Sequence, residues 1–208
     1  MDGRKKLLDI KTWGKHLLFE FTNGAVRVHL GLFGELSIDE RKKVNRSFFL
    51  EFVLGEINGY VVKATKLEKP LDEIYDWRTD ILSSQFDKSY VKELLKKIAG
   101  KTIDDVLMNQ DIFTGVGNKI RNEALYRAKI HPLSIVEKIP SAKINGLINE
   151  VVKYAAIFYQ QLKRNGVNDS FEVYQQEYAA DGSVVTVQVL PKTKRKIYFS
   201  EHRQQLYI

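Results

Sequence analysis

Apolar and polar residues alternate along the first third of the chain, the pattern of half-buried strands. His16 to Phe21 and Val26 to Leu32 flank Thr22-Asn23-Gly24-Ala25, and Asn-Gly between apolar runs predicts a hairpin. In the second run Val26, Val28, Leu30 and Leu32 share one face, while Arg27 and His29 share the other. Phe48 to Leu54 and Tyr60 to Leu67 flank Gly55 to Gly59, which predicts a second hairpin. Residues 68–87 read as a connector. The period then lengthens to that of helices. Val91, Leu94, Leu95 and Ile98 mark one stripe, and Thr102 to Met108 reads as a short helix with Thr102 as its cap. Asn118 opens a helix carrying Ile120, Ala124, Leu125 and Ala128, which stops at His131-Pro132. A long helix starts near Ser141 and ends at Gly166. The tail returns to strands: Glu172 to Tyr178, an Asp181-Gly182 turn, Val184 to Leu190, and Lys194 to Ser200. Sheet, helical module and terminal hairpin together predict an α+β fold in three parts, 1–80, 88–166 and 168–208.

The 208 residues are enough to bury a substantial core, and 44% of them are apolar. No run has the length of a membrane span, and no apolar signal region follows Arg4-Lys5-Lys6. Cysteine is absent, which excludes disulfides and thiolate metal sites. The cytoplasm is the expected compartment, with nucleoid association in a bacterium. The net charge of +7 is unevenly placed. Residues 88–167 hold 14 basic and 7 acidic side chains, while the segments on either side balance. The whole surplus therefore lies on the helical segment, which points to a polyanionic partner.

That segment contains Gln110-Asp111-Ile112-Phe113-Thr114-Gly115-Val116-Gly117-Asn118-Lys119. Glycine permits a tight turn and a close backbone approach. A helix start presents amides without partners and a partial positive charge. The two together make a seat for an anion such as a nucleic-acid phosphate. A Gly-x-Gly before a helix can equally be a plain turn, and asparagine can serve as a simple N-cap.

A helix, two glycine-punctuated turns and a second helix resemble the helix–two-turn–helix of the formamidopyrimidine-DNA glycosylase / endonuclease VIII family. That family carries a similar Gly-Val-Gly-Asn run, then Glu-Ala-Leu and an Ile-His-Pro ending, here Gly115 to Asn118, Glu123 to Leu125 and Ile130 to Pro132. The resemblance extends from about Lys11 to Tyr207. It implies a partial β-sandwich, a helix–two-turn–helix module and a C-terminal β-hairpin finger. It also implies base-excision repair, in which an oxidised base is flipped from duplex DNA, its glycosidic bond is cut, and the abasic strand is nicked.

Residue by residue, the resemblance places Gly115, Gly117, Asn118 and Lys119 at a DNA phosphate. Lys15, in Trp13-Gly14-Lys15-His16, matches a family lysine beside the damaged nucleotide, and Arg27 and His29 lie on the backbone-contacting face that follows. Arg195 matches the arginine of the finger that grips phosphates next to the lesion. Leu32 lies where the family inserts an apolar wedge into the base stack, although its alternation with Val28 and Leu30 favours a core position. Ser200 and Arg203 stand where the last two zinc-binding cysteines of many members would be, so the finger is expected to be zincless, held by strand pairing and by Tyr198, Phe199 and Tyr207. No cofactor and no metal ligand set is expected. Glu123 reads as a capping or scaffold residue.

Family members use an N-terminal proline amine as nucleophile and a neighbouring glutamate for proton transfer. This chain begins Met1-Asp2-Gly3, which reads as a late start within the family's first domain or as a loss of catalysis. No catalytic residue is therefore assigned, and Lys15 and Arg195 are supporting groups. Leu7, Leu8, Phe19 and Phe21 are expected to lack part of their packing. The expected partner is damaged double-stranded DNA, without a membrane or an obligate protein partner. A non-catalytic reader of damaged DNA is the second reading. An RNA-binding protein is the third, because a small-subunit ribosomal protein also carries this helical motif.

Overall fold

The computed structural model describes residues 5–53, 55–166, 170–191 and 193–208. Leu54, with which one expected strand ends, and Lys192 of the basic tail run lie outside them. The chain forms two compact units, Met1–Asp76 and Trp77–Ile208.

The first unit is built from seven strands: β1 (Leu7–Trp13), β2 (His16–Phe21), β3 (Gly24–His29), β4 (Glu35–Ile38), β5 (Phe48–Phe52), β6 (Gly55–Tyr60) and β7 (Lys63–Leu67). They make one sheet in the order β1-β2-β3-β7 and another in the order β4-β6-β5, all neighbours antiparallel. Phe19, Val28 and Val62 are buried against Leu36, Phe48, Leu50 and Ile57, so side chains of both sheets share one apolar core. Each such side chain, fully buried, contributes roughly 1.5–3 kcal/mol. The expected shortfall in packing is uneven. Phe19 is fully enclosed, whereas Leu8 and Ile10 face solvent.

Three strand expectations are corrected. The first hairpin turns at Thr22-Asn23, because Phe21 pairs with Gly24 and the glycine already belongs to β3. The strand then ends at His29 and does not reach Leu32. Gly31 is left-handed (φ 64), and the Gly34 amide donates to the Leu30 carbonyl at 2.8 Å, which folds residues 30–34 into a turn. Leu32 is consequently 92% exposed and Phe33 83% exposed, which removes Leu32 from the core. Third, Gly55 to Gly59 is a strand. It is the middle strand β6, and a side chain on Gly59 would meet Val62 Cγ2 at 2.7 Å and Phe48 Cβ at 3.2 Å. Glycine is required there by close packing, with no turn involved.

A short helix α1 (Leu71–Ile74) closes the first unit. The second unit contains α2 (Lys88–Lys96), α3 (Ile103–Leu107), α4 (Asn118–Ala128), α5 (Ser141–Asn165) and a two-stranded sheet of β8 (Thr186–Val189) and β9 (Lys196–Phe199). The apolar stripes of the helices meet in one core that includes Val91, Leu107, Phe113, Ala124, Leu147 and Val151. Thr102 caps α3 by accepting the Asp105 amide, and Gly166 ends α5 in a left-handed conformation (φ 71). The helical module and the terminal hairpin belong to this one unit. The expected strand Glu172 to Tyr178 is irregular backbone apart from a single bridge between Tyr178 and Val184.

Candidate nucleic-acid interface

The bend before α4 is assembled by the Gln110 side chain. Its amide nitrogen donates to the Met108 and Val116 carbonyls at 3.0 and 3.1 Å, and its oxygen accepts from the Gly115 amide at 3.2 Å. Gly115 has φ 94, which only glycine adopts freely. Gly117 is extended (φ −127, ψ −175) and is the N-cap of α4. Asn118 opens the helix as expected, but the capping position belongs to Gly117 and not to Asn118, which is already the first helical residue. No side chain caps this end, so the leading amides of the helix remain as donors. Val116 is buried beneath the bend, while Gly115, Gly117 and Asn118 are half-exposed and Lys119 is exposed. The Lys119 ammonium lies 5.6 Å from the Phe158 ring and 5.3 Å from the Phe171 ring, within cation–π range.

Three consecutive polar side chains of α4, Arg121, Asn122 and Glu123, are buried. Each reaches backbone or side chains well beyond the helix. Glu123 accepts the amides of Glu172, Val173 and Tyr174 at 3.0, 3.0 and 2.8 Å. These bonds replace the strand ladder that residues 172–178 lack. Asn122 accepts the Tyr198 amide at 2.9 Å, and Arg121 donates to the Lys196 carbonyl at 2.9 Å. Asp104 of α3 faces the Arg121 guanidinium, with Nε–Oδ1 and Nη1–Oδ2 separations of 3.1 and 3.2 Å. Burial pushes the Asp104 carboxyl up to about 6, against the pull of Arg121, and burial also lowers the Arg121 guanidinium.

Arg195 is exposed in the turn before β9. Its carbonyl accepts from Leu190, and Lys194 beside it is left-handed (φ 56), which fixes the turn. Arg195 is close enough to act electrostatically on both Arg121 and Asp104. The second unit thus brings Gly115, Gly117, Asn118, Lys119 and Arg195 into one neighbourhood, with Arg121 behind them. Behind the finger, Ser200 and Ser183 share a hydrogen bond of 2.7 Å, Ser183 donates to Asp181 at 2.5 Å, and Arg203 lies 3.5 Å from Asp181.

In the first unit, Lys15 is at the tip of the β1–β2 hairpin, whose two-residue turn is Gly14-Lys15. His16 pairs across the sheet with His29, their rings 5.4 Å apart, and the next-but-one pair is Leu18 with Arg27. The Arg27 guanidinium is 3.5 Å from Thr65 Oγ1, and His29 Nδ1 accepts the Gly31 amide at 3.0 Å. Lys15, Arg27 and His29 therefore gather at one end of the sheet around His16. Burial, then Arg27, His29 and Lys15, bring His16 down to about 4. His16 escaped the sequence reading as a member of this cluster. The cross-strand register that places it there is visible only once β2 and β3 are paired.

The fold and the site define a helix–two-turn–helix protein with a terminal hairpin finger. Residues 78–166 match the H2TH domain of formamidopyrimidine-DNA glycosylase. Endonuclease 8-like 3 of Bos taurus is 26% identical over 206 residues, which is 94% of this chain and 34% of that protein. Formamidopyrimidine-DNA glycosylase of Lactobacillus acidophilus is 28% identical over 200 residues, 86% of this chain and 72% of that protein. A viral DNA glycosylase of known structure superimposes with a TM-score of 0.84 at 20% identity, covering 97% of this chain and 86% of the other. Over most of its length the chain is thus similar to proteins of the formamidopyrimidine-DNA glycosylase / endonuclease VIII family. It spans about a third of the length of the endonuclease 8-like 3 proteins that it matches.

Proposed function

We propose that this chain grips duplex DNA around an oxidised base and serves base-excision repair as a DNA glycosylase with strand-nicking activity. The observation that carries the reading is the uncapped start of α4 behind Gly115, set beside the exposed Arg195 of the finger. Helix amides, the Asn118 carboxamide, Lys119 and Arg195 would hold phosphates of one strand. Lys15, Arg27 and His29 would contact the backbone near the flipped nucleotide, a role for which Lys15 needs only its charge. Leu32, exposed on its turn, would fill the gap left by the extruded base. The finger would close without zinc, through Asp181, Ser183, Ser200 and Arg203.

A second reading is a non-catalytic reader of damaged DNA that uses the same phosphate seat. Borohydride trapping on abasic-site duplex separates the two. A covalent adduct supports the enzyme, and tight binding without an adduct supports the reader. Preference for structured RNA over duplex DNA in direct competition would overturn both.

A further inference from the structure

Arg121 occupies an unusual position for a guanidinium. It is fully buried, and its three nitrogens face groups on three elements. Two of its nitrogens face Asp104 on α3, and the third, Nη2, donates both to the Lys196 carbonyl at the start of β9 and to Asn118 Oδ1. A guanidinium only donates, so the carboxamide oxygen of Asn118 must be the end that faces it. The NH2 end of Asn118 is then forced to the opposite side of the same planar group. A free asparagine at this position could present either end to an approaching anion.

We infer that Arg121 is a positioning residue, which turns the donor end of Asn118 toward a DNA phosphate and fixes the seat to the strand that follows Arg195. The inference rests on the DNA-binding reading above. Asp104 supplies the countercharge that lets a guanidinium stay behind the seat, and its two oxygens hold the guanidinium plane in one orientation. The Arg121 charge is thus used within the protein, and its effect reaches DNA through Asn118.

The test is a double-mutant cycle on the full chain, read as the affinity for a fluorescent duplex carrying a tetrahydrofuran abasic-site analogue. Asn118→Ala alone should weaken binding roughly tenfold. In an Asp104→Asn/Arg121→Gln background, which removes both charges together, Asn118→Ala should add less than about twofold, since Asn118 is no longer oriented. If Asn118→Ala costs the same factor in both backgrounds, Arg121 has only a scaffold role and the inference falls while the phosphate seat stands. If Asn118→Ala leaves wild-type binding unchanged, the seat itself falls, and the inference with it. Asn118→Asp decides the matter should the double variant fail to fold. It keeps an oxygen for Arg121 and replaces the outward donor by a carboxylate oxygen. Thermal stability should hold while binding drops below that of Asn118→Ala, and binding no weaker than that of Asn118→Ala overturns the inference.

Discussion

The carboxylate of Glu123 receives the amide of Tyr174 at 2.8 Å, joining a helix to a segment fifty residues further along the chain. The same carboxylate also receives the amides of Glu172 and Val173, so one side chain organises the base of the finger. Replacement by Gln keeps one oxygen and turns an NH2 group toward amides that cannot accept. Glu123→Gln should therefore lower the unfolding free energy by roughly 2–4 kcal/mol. Urea unfolding followed by circular dichroism checks this, and a loss within about 0.5 kcal/mol, the range of ordinary surface substitutions, would contradict it.

Salt dependence separates the charged contacts from the neutral one. Arg195→Ala and Lys119→Ala should each reduce the slope of log affinity against log salt by about one. Asn118→Ala should lower affinity without changing the slope, because a carboxamide releases no counterion. Anisotropy titrations across a salt series measure both quantities. An unaltered slope in both charged variants would place those side chains away from the duplex.

Leu32 is 92% exposed, so its truncation costs the fold almost nothing. Leu32→Ala should stay within about 0.5 kcal/mol of wild type in stability. It should nevertheless weaken binding to lesion-containing duplex more than to intact duplex, since only the former has a gap to fill. Fluorescence of 2-aminopurine placed opposite the lesion reports the insertion. Equal weakening on both duplexes would remove Leu32 from the wedge role.

His16 gives the first unit a dependence on pH. Its ring is held near 4, below its ordinary value of 6.5, so the folded unit favours the neutral form. The unfolded chain binds the proton more readily between these values. The His16 contribution is then complete above pH 6.5 and is lost as pH falls toward 4. NMR titration of the four histidines should show one with a midpoint near 4 that disappears in His16→Gln. Midpoints near 6.5 for all four would refute the burial argument.

The finger should be indifferent to chelators. Incubation with EDTA should leave the melting temperature unchanged, while Asp181→Ala, which removes the acceptor for Ser183 and the countercharge for Arg203, should lower it. A fall in melting temperature on chelation would show that a metal closes the finger.

Local chemistry was readable from sequence, and long-range pairing was not. The Thr102 cap, the Asp181-Gly182 turn and the end of α5 at Gly166 each depend on a few adjacent residues, and all three were legible. Strand β6 was missed because Gly55 to Gly59 carries turn residues, and only its position between β4 and β5 makes glycine suitable for a strand. Residues 172–178 were read as a strand because their alternation cannot reveal that a helix carboxylate takes their amides. At the site, the Gly115 bend and the exposed Arg195 were legible. The burial of Arg121, Asn122 and Glu123 was not, since consecutive polar residues ordinarily mark a solvated helix face. One signal was available: a helix so short of apolar positions can be enclosed only if those polar groups have partners elsewhere.

Those three enclosed side chains also determine how the second unit can be dissected. Cutting after α5 to isolate the helices would strand a guanidinium without its carbonyl, a carboxamide without its amide and a carboxylate without any of its three donors. The finger is therefore tied to α4 through Lys196, Tyr198 and residues 172–174 and is no separate cassette. A chimaera joined within residues 166–171 keeps these bonds only if its finger presents the same backbone groups to α4, and otherwise should melt at a lower temperature than either parent.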